Sequence, residues 1–213
     1  MQNPRVYDAN VAVDAVVSTN KVLRNTYMLL GLTLLFSAMT AGIAMAMNLS
    51  HTMALVLMLV GFGLLFVVNR TADSGKGLVA IFAFTGVMGA SLGPMLSYYL
   101  QMANGPAMVM QALGGTAVVF FGLSAYALTT RKDFSYLGGF LMVGLIAAVV
   151  AMIANIFLAI PALQLTISAV VVMIMSGLIL FDTSRIVNGG ETNYIRATVG
   201  LYLNIYNLFI HLL

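Results

Sequence analysis

Few residues in this chain could do chemistry, and their spacing narrows what that chemistry is. There is no cysteine, which excludes disulfides, thiolate metal sites and a cysteine nucleophile. The two histidines, His51 and His211, belong to no H-E-x-x-H zinc motif, and no P-loop is present. Gly89-Ala90-Ser91-Leu92-Gly93 fits the G-x-S-x-G pattern of a nucleophile elbow. That elbow needs a strand–turn–helix setting and a His/Asp pair, whereas here it lies in an apolar stretch. Read as packing, Gly86, Gly89, Ala90 and Gly93 fall at i, i+3, i+4 and i+7 and let a second helix approach closely. Pro94 should then kink the helix. No residue is assigned a catalytic role, and no cofactor is expected.

Two features are more informative. Asp182 is the one acid fused to a long apolar run, directly after Phe181. It reads either as an interfacial carboxylate paired with Arg185 at i+3 or as a titratable gate whose charge changes with pH. Asn193, Ala197, Gly200, Asn204, Asn207 and His211 alternate by +4 and +3 along one helix face. Polar faces in lipid turn toward the protein interior. This stripe is either a hydrophilic pathway or a seam of interhelical hydrogen bonds. Thr33, Ser37 and Thr40 make a milder stripe of the same kind. No Lys, Arg, Asp or Glu sits in the middle of an apolar stretch, where ion-coupled transporters usually carry one.

The elements that must position these residues follow from composition. Of 213 residues, 62 % are hydrophobic and 7 % charged, and the mean hydropathy is +1.04. A soluble domain is roughly 45–50 % apolar and about 25 % charged. So few charges cannot cover a water-facing surface, which excludes a soluble enzyme, a disordered chain and a nucleic-acid-binding module. A polytopic membrane protein remains. A membrane helix takes roughly 20 apolar residues, so this length allows about seven. Seven apolar stretches stand out, near 25–47, 52–69, 77–100, 107–129, 135–158, 161–181 and 194–213. The expected fold is all-α, a seven-transmembrane-helix bundle with its polar seventh span at the centre.

Charge placement supports that count. The nine basic residues, among them Lys21, Arg24, Arg131, Lys132 and Arg185, all fall on one side of a seven-span chain, as do the six acids. The positive-inside rule puts that side, and the N-terminus, in the cytoplasm and the C-terminus outside. Residues 1–24 read as a flexible cytoplasmic tail that an unfolding protease could grasp, with Ser18, Thr19 and Asn20 placed to cap the first span. Residues 25–213 form the transmembrane domain, whose C-terminus reads as truncated because no polar anchor follows Leu213.

Several segments together resemble one family. Gly93-Pro94 is followed by Ala112-Leu113-Gly114-Gly115-Thr116-Ala117 and Phe120. Lys132-Asp133-Phe134-Ser135-Tyr136-Leu137-Gly138 opens the fifth span, and Asn155-Ile156-Phe157 lies near its end. Phe181-Asp182 closes the sixth, and Leu201-Tyr202-Leu203-Asn204-Ile205-Tyr206-Asn207-Leu208-Phe209 forms the seventh. Their order and spacing resemble the Bax inhibitor family, the transmembrane Bax inhibitor motif proteins, from about residue 18 onward. The stretches 21–27 and 189–196 are similar to a bacterial, inner-membrane branch of it. The resemblance implies a seven-helix bundle with the last helix central, and two functions. Members of that branch associate with the membrane protease FtsH and its partners HflK and HflC, modulate FtsH and are its slow substrates, with the N-terminal tail (here residues 1–20) as the handle. Other members act as pH-sensitive calcium leaks, with one aspartate on helix six, a second on helix seven and a helix-two arginine as latch. Asp182 matches the first aspartate and Arg70 the latch, but the second position is Asn204. Two close carboxylates share a proton and titrate steeply; one carboxylate beside an amide offers Ca²⁺ half that charge, which leaves Asp182 a weak calcium ligand. Asn207, one turn on, joins Asp182, Asn204 and Arg70 as a gate candidate.

Overall fold

In lipid every backbone N–H and C=O must be satisfied within the protein, and a chain of long apolar runs meets that demand with helices. The computed structural model describes residues 4–213, with side chains from Ser18 onward, and contains no strand among them. Eight helices follow in order: α1 Pro4–Ala46, α2 His51–Thr71, α3 Lys76–Ser91, α4 Gly93–Leu100, α5 Gly105–Thr130, α6 Leu137–Leu158, α7 Pro161–Val187 and α8 Tyr194–Leu212. The protein is an all-α polytopic membrane protein. Six stretches are long and apolar enough to cross a bilayer, α3 and α4 counting together as Lys76–Leu100. The seventh expected span, α8, is a 19-residue helix and is not among those six. Arg196, Asn204, Asn207 and His211 lower its hydropathy.

Three boundaries differ from the sequence reading. Ser18, Thr19 and Asn20, expected as a cap, lie inside α1; the tail expected over 1–24 otherwise falls largely outside the described side chains. The third span is two helices, because Pro94 at the start of α4 has no N–H to continue the ladder. The sixth extends past the hydropathy limit at 181 to Val187. Ser184 and Ile186 are buried there, so packing sustains the helix after the apolar run stops. Asp182 therefore lies inside α7 rather than at its end.

Burial grades from the rim to the centre. Helix α6 touches only α7 among the described residues, through a stripe of Leu141, Ala148 and Asn155 spaced by seven. Its other faces carry exposed Phe140, Ile146, Ile153 and Phe157, as suits hydrocarbon. Helix α8 contacts α1, α2, α3, α5 and α7. Leu201, Tyr202 and Leu208 on it are fully buried. Helices gain no hydrophobic driving force from leaving lipid for one another, so close packing and interhelical hydrogen bonds must hold them. The small residues of α3 and α4 supply the first. Gly86 faces the Phe36 ring, Gly89 the backbone of Ser37, and Gly93 Ala44, so all three lie against α1. Gly89 admits no side chain, since a Cβ there would overlap Ser37 backbone atoms.

Candidate functional site

Helix α7 carries Asp182 toward α8, and two α8 residues one turn apart receive it. At Gly200 an added Cβ would come within 3.0 Å of Asp182 Oδ2, so glycine is what lets the carboxylate approach. At Asn204, Nδ2 donates to the same oxygen at 2.8 Å. The amide is buried and Asp182 half-buried. A cavity of about 130 Å³ opens beside the carboxylate, lined by Asp182, Arg185, Ile186, Glu191, Arg196, Ala197 and Gly200. Two guanidiniums and two carboxylates balance their charges there.

The arginines have partners other than Asp182. Arg185 pairs with Glu191 at 3.8 Å, donates to the Gly190 carbonyl at 3.2 Å and lies over the Phe181 ring, 5.5 Å from its centroid. The i+3 pairing expected from sequence is thus replaced by one across the α7–α8 turn. Arg196 forms an ion pair with Asp73 on the α2–α3 turn. Asn193 reinforces that link: its Nδ2 donates to Asp73 Oδ1 at 2.8 Å and to the Ala72 carbonyl at 3.0 Å. Its Oδ1 caps α8 by accepting from the N–H of Ile195 and Arg196. Glu191 accepts from the Asn193 N–H at 2.9 Å. Sequence reasoning missed this strap; the Asp–Arg–Asn set stands on two distant turns, and only the fold brings them together.

The other anticipated residues separate. Arg70 is exposed on the last turn of α2 and does not line the Asp182 cavity. Asn207 donates to the Leu203 carbonyl of its own helix at 2.8 Å. Lys21, Arg24, Arg131 and Lys132 are exposed. The Lys132 carbonyl accepts from Ser184 Oγ at 3.0 Å and from Asn188 Nδ2 at 3.3 Å, which pins the α5–α6 loop to α7. In that loop hydrogen bonds from the Ser135 side chain and backbone hold the exposed Asp133 carboxyl below its ordinary value. Among the described residues no three His, Asp or Glu side chains cluster as metal ligands. A calcium ion wants six to eight oxygens; Asp182 and Glu191 alone, with two guanidiniums beside them, do not make a resident site.

Among the described residues, Ser91 has neither a histidine nor a carboxylate at its hydroxyl. Its Oγ donates to the Met88 carbonyl at 2.7 Å and bonds Tyr206 Oη at 3.0 Å. Tyr206 belongs to a second polar seam on α8, facing α1 and α3. Tyr202 Oη bonds Ser37 Oγ at 2.7 Å, and Ser37 Oγ donates to the Thr85 carbonyl at 2.5 Å. The two tyrosine rings stack at 6.0 Å. Tyr202 and Tyr206 are one turn apart, a spacing that marks them in the sequence as a shared face.

The family model described as "Inhibitor of apoptosis-promoting Bax1" matches residues 19–213. The chain belongs to the Bax inhibitor family. Among the family's bacterial proteins, the chain is 56 % identical over 200 residues to "Modulator of FtsH protease YccA" of Escherichia coli strain K12, covering 93 % of this chain and 90 % of the relative. The same identity and coverage hold for "Inner membrane protein YccA" of E. coli O6:H1. An uncharacterized membrane protein of Vibrio cholerae is 50 % identical over 212 residues, covering 99 % of this chain and 95 % of its own length. Family membership agrees with the resemblance carried by the motifs and with the helical, lipid-facing architecture.

Proposed function

We propose that this Bax inhibitor family protein is a non-catalytic, multi-pass inner-membrane protein that binds and modulates an FtsH-type membrane protease. The observation that carries the reading is the 56 % identity, across 93 % of the chain, to a protein named modulator of FtsH protease. In this reading α8 is the seventh span, the N-terminus is cytoplasmic and the C-terminus periplasmic. Residues 1–20 are the handle by which the protease slowly degrades the protein, and HflK and HflC join the assembly. The test deletes residues 1–20 and measures the protein's half-life with and without FtsH, alongside co-purification of FtsH with the full chain. A longer half-life for the deletion in the FtsH-containing strain supports the handle; equal half-lives in both strains remove it. Failure of FtsH to co-purify removes the binding.

A second reading, a pH-sensitive calcium or cation leak gated at Asp182, is favoured by the 2.8 Å hydrogen bond from Asn204 to Asp182 in the bundle interior. The carboxylate, Asn204 and the small cavity would form the gate. Ca²⁺ flux into proteoliposomes across a pH series, for the wild type and Asp182→Asn, decides it. Flux that changes with pH in the wild type and not in the variant supports the gate; negligible flux in both eliminates it.

A further inference from the structure

Helices α1 and α5 both flank α8; they meet through the Tyr27 and Phe120 rings, whose centroids are 5.9 Å apart, and their backbones stay apart elsewhere among the described residues. Toward the end of the bundle away from the charged turns, the gap between them is a cavity of about 280 Å³ floored by α8. That is roughly twice the ~150 Å³ of an apolar cavity that takes up benzene. The polar side chains on its wall are already satisfied. Ser37 and Tyr202 bond each other, Tyr206 bonds Ser91, and Thr116 donates to the Ala112 carbonyl at 2.7 Å. What the wall offers an occupant is carbon. A trapped water needs two to four polar partners, and an ion needs more, so neither is held here.

The cavity is open to the side. Ala38 and Gly42 of α1 and Leu113 of α5 line it and are also exposed. Leu35, Met39 and Met110 beside them are large exposed apolar side chains, the band that faces hydrocarbon in a bilayer. An empty slot of this size would forfeit dispersion contacts along its whole lining, and the medium at its mouth consists of alkyl chains. We propose that the cleft seats one acyl chain of a bilayer phospholipid, lying between α1 and α5 against α8. The chain completes the packing around the central helix where protein side chains do not.

The test uses the full-length protein in nanodiscs made with a phospholipid bearing a diazirine midway along one acyl chain, and mass spectrometry to locate the photo-adducts. Residues 34–45 and 109–116 should label several-fold more per residue than the lipid-facing stretch 140–153 of α6. Gly42→Phe fills the slot, and a Cβ at Gly42 meets nothing within 4 Å. It should cut that labelling several-fold. Gly139→Phe, on α6 and equally open, should leave it unchanged. Ala38→Leu serves as a second filler, so a misfolded Gly42→Phe does not stop the test. Labelling of the two segments no higher than that of α6, or unchanged by a folded filling variant, overturns the proposal. A diazirine fatty acid in parallel separates the sources: labelling by the free acid alone also overturns it.

Discussion

Asp182 depends on Asn204, and the dependence can be measured. Removing the donor while keeping the carboxylate leaves a part-buried acceptor without its partner, which costs about 1–3 kcal/mol. Asn204→Leu should therefore lower thermal stability in detergent clearly more than Asp182→Asn, in which an amide can still pair with Asn204. Equal losses would mean that the contact contributes packing only. At the exposed α5–α6 loop the expected effect is a shift in titration. Ser135→Ala removes the side-chain bond that does most to lower Asp133, so its titration midpoint, followed by carboxyl NMR, should rise toward 3.8. The sign follows from that lowering: the wild-type stabilisation is complete above 3.8 and is lost as the pH falls through the lower folded value. Asp182 is marked in the sequence as the one acid fused to the end of a long apolar run. Its partner was legible only through the helical stripe that includes Asn204. That Arg185 turns to Glu191 instead was not legible, since the choice depends on how the α7–α8 turn closes.

Helix ends decide more here than helix faces. Asn193 both caps α8 and ties it to the α2–α3 turn, whereas the Arg196–Asp73 ion pair is exposed. An N-cap is worth typically ~1 kcal/mol, and exposed ion pairs about 0–1 kcal/mol. Asn193→Ala should thus destabilise the protein by about 1–2 kcal/mol, and Arg196→Ala by less, in chemical denaturation from detergent micelles; the reverse order would make the ion pair the principal strap. Hydropathy located the apolar helices because lipid leaves the backbone no other choice. It misplaced the end of α7, because Ser184 and Ile186 continue the helix through packing. It read α3 and α4 as one span, as Lys76–Leu100 is, but not that the helix breaks there, because a Pro94 kink and a Pro94 break look alike in a string of residues.

Across the whole molecule, the described charged residues gather toward one end of the bundle, Lys21 and Arg24 within α1 and Asp73, Arg131, Lys132, Glu191 and Arg196 on turns and helix ends. The chain has no cysteine, so single cysteines can report sidedness without background. Ser74→Cys and Lys132→Cys should react with a membrane-impermeant thiol reagent only in inverted vesicles, and Asn104→Cys only in intact spheroplasts. The opposite pattern would invert the orientation. Sequence alone made this sorting visible, because it rests on charge and count. Which helix fills the centre was visible in part, through the alternating small and polar residues of the last span. The tyrosine seam on the far side of that span was not, because Tyr202 and Tyr206 become polar partners only when Ser37 and Ser91 arrive from other helices.

That central position has a consequence for biosynthesis. Helix α8 is translated after every helix that surrounds it, and among the described helices it falls short of the hydropathy that marks the six clear spans. Until it arrives, Ser37 and Ser91 lack their tyrosine partners, and Asp182 lacks Asn204. The nascent bundle is thus an open ring with polar groups on its inner rim. Only α8 supplies side-chain partners to those groups, so the centre of the bundle is completed after all the helices around it have been made.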